Sequence, residues 1–198
     1  GEWVSYFENG NIQSEGQMIN NKKNGLCKGY FDNGQLEYQV EYYNGLVNGK
    51  YESFYESGNK KIKVNYNSNY YNGLYQEWYD NGVKKQEGSY SEGYQIGEWN
   101  TWYENGNIYS NGKYLLGKGD GKWMFYFENG NLEKVGELKN GEEIGEWKFY
   151  YKNKNLKAKF LLNPNSKGSI QVWNEEGKEV FKGEFWDLKE MLNTFKSF

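Results

Sequence analysis

The stretch Gly121-Lys122-Trp123-Met124-Phe125-Tyr126-Phe127-Glu128-Asn129-Gly130-Asn131-Leu132 recurs in altered form along the chain. With Gly130 as the anchor, the equivalent positions are Gly10, Gly34, Gly58, Gly82, Gly106, Gly130, Lys154 and Gly177. The spacing is 24 residues six times and 23 residues once. A fixed period of this length is typical of an array of small structural units, none of which buries a core alone.

The Asn-Gly pair at the anchor predicts a tight turn in each unit. It stands in five units between aromatic and β-branched residues. A type I′ turn needs positive φ at both central residues, so Asn-Gly in this setting is a strong hairpin signal. We therefore predict antiparallel hairpins closed by two-residue turns and joined by exposed loops, such as residues 20–24 and 91–96. The expected pairs are Phe127 with Leu132, Trp123 with Gly136, and Gly121 with Leu138.

In the same register, a large ring lies opposite a glycine of the return strand. The pairs are Trp3 with Gly16, Trp99 with Gly112, and Trp123 with Gly136. A ring over a glycine packs well because the missing side chain leaves room. Two units carry valine instead of glycine, and there the partners are smaller: Val40 with Cys27, and Val64 with Tyr51. We interpret these exchanges as compensated packing.

The pattern Gly-Glu-Trp-x-x-Tyr-x-Glu-Asn-Gly-x-Leu-x-x-x-Gly resembles the MORN repeat in its bacterial variant form. The resemblance covers residues 1–186, with departures at Cys27, Lys154, Ile170 and Asn174. It implies an all-β fold in which β-hairpins form one elongated, twisted, single-layer sheet. It also implies a non-catalytic scaffold whose arrays self-associate through their ends and are in some proteins linked with membranes.

The last twelve residues break the repeat. Apolar residues at 188, 191, 192, 195 and 198 follow the period of a helix face, and Asp187 with Glu190 resembles a capping box. We predict one repeat domain, residues 1–186, followed by a short amphipathic helix, residues 187–198, that caps the last hairpin. The alternative is that this helix docks on a partner or a membrane.

Composition argues against several classes of function. The chain has no histidine, and its one cysteine, Cys27, stands at a core position of the repeat, where we expect it to be packed. Histidine-based triads and zinc sites that use histidine are therefore absent. The carboxylates beside the turns, such as Glu8, Glu104 and Glu128, stand singly and not as acid/base pairs. We expect no enzymatic activity, no metal and no cofactor.

Charge and hydropathy limit the partners. The net charge of −3 argues against nucleic-acid binding, which normally needs a basic face. No apolar run reaches the roughly 18 residues of a membrane-spanning helix. The chain begins at Gly1, in phase with the repeat and without a methionine, so we expect that a signal peptide, further repeats or a tag has been removed or omitted before it. An exported bacterial protein and a cytoplasmic scaffold are both compatible with this composition, and of the two we favour export to the cell envelope.

The aromatic residue four positions before each anchor is the main candidate for a binding surface. Strand alternation places it on the face opposite the residues seven and three before the anchor. The set is Tyr6, Tyr30, Phe54, Trp78, Trp102, Tyr126, Tyr150 and Trp173. We expect mostly polar cross-strand neighbours, namely Gln13, Glu37, Lys61, Lys85, Tyr109, Glu133 and Lys157. Such rings suit a protein segment, a sugar or a cationic head group, or else they only stack on one another and stabilise the sheet.

A second candidate is a group of lysines in the seventh and eighth units. No acidic residue stands between Trp147 and Trp173. The lysines are Lys148, Lys152, Lys154, Lys157, Lys159 and Lys167. They form either a solvated strand surface or a contact for an acidic partner or an anionic lipid.

These observations favour a protein-interaction scaffold that uses the aromatic residues as its docking surface. One alternative is a cell-surface module for a glycan or a choline-like group, because Gly-x-Trp-x-x-Tyr hairpins also resemble the shorter aromatic repeats that hold cell-wall choline or glucans. A further alternative is peripheral binding to anionic lipid through the lysines and the C-terminal helix.

Overall fold

The computed structural model describes residues 1–163, 167–186 and 195. The chain divides into two compact units, residues 1–106 and 107–198. The first unit contains β1 (Glu2–Tyr6), β2 (Ile12–Ile19), β3 (Lys22–Tyr30), β4 (Leu36–Tyr43), β5 (Leu46–Phe54), β6 (Lys60–Asn67), β7 (Tyr70–Trp78), β8 (Lys84–Ser91) and β9 (Tyr94–Trp102). The second contains β10 (Ile108–Leu115), β11 (Lys118–Gly119), β12 (Gly121–Tyr126), β13 (Leu132–Lys139), β14 (Glu142–Tyr150), β15 (Leu156–Leu162), β16 (Gly168–Trp173) and β17 (Glu179–Phe185).

Sequential strands pair antiparallel within each unit. The prediction of an all-β array of hairpins is therefore confirmed. The eighth hairpin, β16 with β17, has the same register as the others, with Ile170 opposite Gly183.

The anchor turns, which contain the Asn-Gly pairs, have three-residue loops and not the predicted two-residue type I′ turns. Gly130 takes φ +84°, but Asn129 stays outside the positive-φ region. The Gly130 N–H donates to Phe127 O (2.8 Å), and the Phe127 N–H donates to Asn131 O (2.8 Å). This pattern is a type I turn followed by a glycine bulge, for which Asn-Gly is equally suited.

The longer loop moves the register by one residue next to the turn. Leu132 pairs with Tyr126, so the predicted pair of Phe127 with Leu132 was wrong. Beyond the bulge the predicted register holds, with Trp123 opposite Gly136 and Gly121 opposite Leu138.

A second row of turns, here called the linking turns, joins successive hairpins at the other end of the strands. Asn44 has φ +51° and Gly45 φ +85°, and the flanking residues Tyr43 and Leu46 pair directly. These are the features of type I′ turns. The central residues are Asn20-Asn21, Asn44-Gly45, Ser68-Asn69 and Glu92-Gly93 in the first unit, and Leu116-Gly117 and Asn140-Gly141 in the second.

The linking turns correct the prediction of longer exposed loops. β3 begins at Lys22 and β9 at Tyr94, inside the segments 20–24 and 91–96. The type I′ geometry that the sequence placed at the anchors therefore lies at the opposite ends of the strands.

The glycine nine residues before the anchor takes a positive φ in six units and serves the backbone there, whereas Gly168 is covered by the Phe185 ring. Gly121 has φ +88°, and a Cβ added there would meet no atom within 4 Å. An L side chain rarely adopts this φ, so glycine is required for the conformation.

The ring that fills the space over the return-strand glycine comes from the following hairpin. Trp123 is opposite Gly136 as predicted, but a Cβ at Gly136 would overlap the ring of Trp147. Gly88 is covered in the same way by Trp99. The predicted large-against-small packing is real, but it joins neighbouring hairpins.

The core of the second unit lies on the face that carries Trp123 and Trp147. The buried side chains are Trp123, Trp147, Ala158, Phe160, Leu162, Ile170, Val172 and Phe185. The Phe195 ring packs on Phe149 and Phe160, with ring centroids 5.6 Å and 5.2 Å apart. Phe195 is helical, but the rest of the predicted C-terminal helix, and with it the predicted domain boundary, lies outside the described residues.

The first unit builds the equivalent face of its own sheet largely from tyrosine. Successive ring contacts connect Tyr51, Tyr66, Tyr71, Tyr75, Tyr90 and Trp99, with centroid separations of 4.8–5.9 Å. Cys27 is 2 % exposed and belongs to this face, as the sequence predicted. In each unit the face that carries these side chains (Cys27, Tyr75 and Trp99 in the first unit, Trp123 and Trp147 in the second) is here called the core face of that unit.

Lys154 gives a direct test of the anchor-turn geometry. It occupies the anchor glycine position with φ +75°. The left-handed conformation costs a non-glycine residue about 1–2 kcal/mol, and the added chain entropy of glycine offsets part of any gain. We expect Lys154→Gly to raise the free energy of unfolding by about 1 kcal/mol in urea denaturation. Lys154→Ala should give no gain, and an equal gain from both variants would show that loss of the lysine charge is responsible.

Candidate interaction surfaces

The eight aromatic residues four positions before the anchors, here called the ladder, end the outgoing strands of the hairpins. In β7, Tyr75 and Glu77 are buried, while Leu74, Gln76 and Trp78 alternate with them and are more exposed. Trp78 and its equivalents therefore lie on the face opposite the core face, here called the ladder face, as predicted. Tyr6 is 62 % exposed, and the other seven rings are half-buried.

The cross-strand neighbours of the ladder differ from the prediction. Because of the glycine bulge, the ladder residues pair with the residue two positions after the anchor. The described pairs are Tyr6–Ile12, Tyr30–Leu36, Phe54–Lys60, Trp78–Lys84, Tyr126–Leu132, Tyr150–Leu156 and Trp173–Glu179. Opposite residues share a face, so the ladder has more aliphatic neighbours than the sequence predicted.

Three of the lysines predicted to face the ladder point to the core side instead. The Nζ atoms of Lys61, Lys85 and Lys157 lie 5.3–5.7 Å from the ring centroids of Tyr55, Tyr79 and Tyr151. These tyrosines stand three positions before the anchors, where the sequence placed the core face. The extra residue in the turn therefore places the side chain three positions after the anchor on the core side and not on the ladder face.

Hydrogen bonds fix the backbone beneath part of the ladder. The Tyr55 hydroxyl donates to the Trp78 carbonyl at 2.8 Å, and the Tyr79 hydroxyl donates to the Trp102 carbonyl at 2.8 Å. Each bond joins one hairpin to the next. The backbone carbonyls of Trp78 and Trp102 are therefore held by the preceding hairpin.

Polar groups on the ladder face are largely paired with one another. Burial and a hydrogen bond to Glu15 (2.6 Å) raise the pKa of Tyr30 to about 12. Lys84 pairs with Glu87 at 2.6 Å and lies 5.6 Å from the Trp102 ring centroid. Hydrogen bonds from Lys84 and Gln76 lower the pKa of Glu87, so this carboxylate stays charged at neutral pH.

The six lysines of the seventh and eighth units do not share one face. Lys148 and Lys159 both pair with Glu146, at 2.9 Å and 2.6 Å, and hydrogen bonds from these lysines lower the pKa of Glu146. Lys157 lies on the core side, 5.0 Å from the Phe195 ring centroid. Lys167 pairs with Glu184 at 3.5 Å and also lies over the Trp186 ring.

The other two of these lysines lie at an anchor turn. Lys152 accepts a hydrogen bond at its carbonyl from Asn131, and Lys154 takes the left-handed anchor conformation.

Comparison with known protein families identifies the family to which the chain belongs. A family model described as MORN repeat variant matches residues 1–20, 23–44, 47–68, 71–92, 95–115, 119–140 and 143–161. The chain belongs to this MORN repeat family. MORN repeats are generally non-catalytic interaction modules, associated with protein or membrane-lipid contacts. Comparison with curated protein sequences gives no match.

One MORN hairpin carries a buried carboxylate that sequence reasoning missed. Glu77 is 9 % exposed and lies on the core face. It accepts hydrogen bonds from Lys85 Nζ at 2.8 Å, from Gln86 Nε2 and from the Tyr75 hydroxyl at 3.1 Å. Burial alone would raise its pKa, but the bonds from Lys85 and Gln86 and the Lys85 charge outweigh this and lower it. The signal in the sequence was a glutamate at a position that elsewhere holds small or apolar residues.

Sequence reasoning also missed a row of exposed tyrosines at the linking turns. Tyr43, Tyr70 and Tyr94 are 63 %, 61 % and 56 % exposed. They flank the central turn residues, so the motif that reveals them is an aromatic beside an Asn- or Gly-containing turn.

The described part of the chain contains neither a candidate metal site nor a candidate membrane-spanning helix. No cluster of three metal-ligating side chains occurs there. No helix among the same residues has the length and apolar character needed to cross a membrane.

Proposed function

We propose that this MORN array is a non-catalytic docking platform for a protein partner, and that the ladder face of the first unit carries the contact. The observation that supports it most is the placement of Trp78 and Trp102. Both rings are half-buried on the face that the core does not use, and both backbones are fixed by hydrogen bonds from the preceding hairpin.

The chemistry of these two residues fits a protein interface. Tryptophan supplies a large contact area with few rotatable bonds and is enriched among the residues that dominate binding energy. Lys84 and Glu87 beside Trp102 supply charged groups of both signs, as at the polar rim of an interface. The family association with interactions supports the same proposal.

The test is a double variant, Trp78→Ala/Trp102→Ala, compared with wild type in affinity capture from native lysate and envelope fractions. Each truncation at a central anchor costs about 2 kcal/mol or more, so we expect the affinity for the captured protein to fall at least about 100-fold. The purified partner is then titrated by calorimetry against each variant.

Tyr70→Ala/Tyr94→Ala is the matched control. These residues begin the same two strands, β7 and β9, that Trp78 and Trp102 end. Circular dichroism must show that both variants keep the sheet. Undiminished binding by the folded tryptophan variant would refute the proposed role of the ladder. An equal loss of affinity in the tryptophan and tyrosine variants would show that the effect is not specific to the ladder.

A further inference from the structure

Three linking turns of the first unit present exposed tyrosines, and Tyr70 and Tyr94 occupy equivalent positions. Tyr43, Tyr70 and Tyr94 each stand directly beside the two central residues of a type I′ turn. More than half of each side chain is exposed, although no core contact requires an aromatic ring there. The central residues of these turns are asparagine, serine, glycine and glutamate. Recognition surfaces in other proteins are often rich in tyrosine together with serine, glycine and asparagine.

Hydrogen bonds tie the turns that carry Tyr70 and Tyr94 to the preceding hairpins. The Gly93 N–H donates to Tyr71 O at 2.9 Å, and the Asn69 N–H donates to Val47 O at 2.9 Å. The Tyr70 ring lies against the Gly93 backbone, since a Cβ added there would be 3.1 Å from Tyr70 Cδ1. A ligand would therefore meet a preformed surface, which reduces the entropy lost on binding.

A groove of about 530 Å³ lies between these two turns. The Tyr70 and Tyr94 rings flank it, and Asn67, Asn72 and Glu92 supply amide and carboxylate groups. The described lining includes no lysine, so an anionic ligand would meet only the Glu92 carboxylate and no opposite charge.

This lining also fits a peptide poorly. The described groove has no aliphatic pocket to receive the anchors of an amphipathic helix. The turn N–H groups of Asn69 and Gly93 already donate to the preceding hairpin, so they are not free to pair with an added strand.

We infer that this groove binds a neutral oligosaccharide. A pyranose ring has one face of C–H groups, which carry partial positive charge and pack against the electron-rich face of a tyrosine ring. Its hydroxyls both donate and accept hydrogen bonds. Asn67 and Asn72 offer both functions, and the Glu92 carboxylate accepts from two neighbouring hydroxyls. The inference uses a different surface from the ladder and does not depend on the proposed protein docking.

The first experiment applies the full chain to a printed array of neutral, N-acetylated and sulfated oligosaccharides. We expect binding to members of the neutral or N-acetylated sets and none to the sulfated set. Binding only to sulfated glycans, or to no glycan at all, would overturn the inference.

The second experiment titrates the best array sugar against variants by calorimetry. Tyr70→Ala/Tyr94→Ala should weaken binding at least 10-fold, whereas Tyr70→Phe, which keeps the ring face, should weaken it less than 3-fold. Glu92→Gln tests the carboxylate and should weaken binding several-fold. Trp78→Ala/Trp102→Ala is the control and should bind the sugar as wild type does. Unchanged affinity in the folded Tyr70→Ala/Tyr94→Ala variant would place the sugar elsewhere and overturn the assignment.

Discussion

Gly136→Val should lower the free energy of unfolding by about 3 kcal/mol, since adding a side chain to a filled core costs about 1–3 kcal/mol and this one meets a rigid ring. The Trp147 indole occupies the space above Gly136 and is only 1 % exposed, so it has no alternative position. Gly136 is not in a positive-φ conformation, and the loss is therefore steric and not a backbone effect.

The chain itself suggests the compensating change. Where valine replaces this glycine, the following hairpin carries tyrosine and not tryptophan: Val40 pairs with Tyr51, and Val64 is followed by Tyr75. We therefore expect Trp147→Tyr to restore part of the stability lost in Gly136→Val. The loss of stability in the double variant should be smaller than the sum of the two single losses. The difference, which is the coupling energy, should be about 1–2 kcal/mol.

Urea denaturation of all four proteins, followed by circular dichroism, measures this cycle. Gly136→Val/Phe185→Tyr is the control, because Phe185 is buried in the same unit but belongs to a different contact. Additive losses in the Gly136/Trp147 cycle would show that the two side chains do not share the space.

Glu77→Ala should cost about 2 kcal/mol at pH 7, because it leaves Lys85, Gln86 and the Tyr75 hydroxyl without their acceptor. The pKa of Glu77 is lowered from 4.5 in the folded protein. The carboxylate therefore stabilises the fold fully above that value, and the contribution is lost as the pH falls through the lower folded pKa. The difference in the free energy of unfolding between wild type and Glu77→Ala should therefore become smaller between pH 5 and pH 3.

Denaturation curves at pH 7, 5 and 3 test this dependence. Glu77→Gln keeps one acceptor oxygen and should lose less than the alanine variant at pH 7. Glu98→Ala removes an exposed carboxylate and should change stability little at any of these pH values. A Glu77→Ala loss of the same size at pH 7 and pH 3 would show that the contribution is packing and not charge.

The sequence predicted the hairpins and most of their register, because the 24-residue period and the strand alternation are both carried by large aromatic residues. It did not predict the turn types. Asn-Gly suits a type I′ turn and also a type I turn with a glycine bulge, and the two differ by one residue in the loop. That one residue changed the neighbours of the ladder, so Lys61 and Lys85 face the core side instead.

The candidate sites were predicted less completely than the fold. The ladder positions follow from alternation alone, and the structure places them as expected. The lysines were grouped by their proximity in sequence, which ignores Glu146 just before them and the bulge that turns Lys157 to the core side, away from Lys159. The groove at Tyr70 and Tyr94 depends on contacts between two turns 24 residues apart, which no local pattern contains.

The asparagines of the anchor turns have a consequence for how such a chain changes its length. The Nδ2 groups of Asn11 and Asn59 donate to Asp32 O and Asp80 O of the following turn, 21 residues away in each case. Asn131 donates to Lys152 O over the same interval. Duplicating or deleting one whole 24-residue unit would re-form every such bond with an equivalent partner, whereas an insertion of any other length would break one junction. Evolution can therefore lengthen or shorten this protein readily only in steps of a complete hairpin.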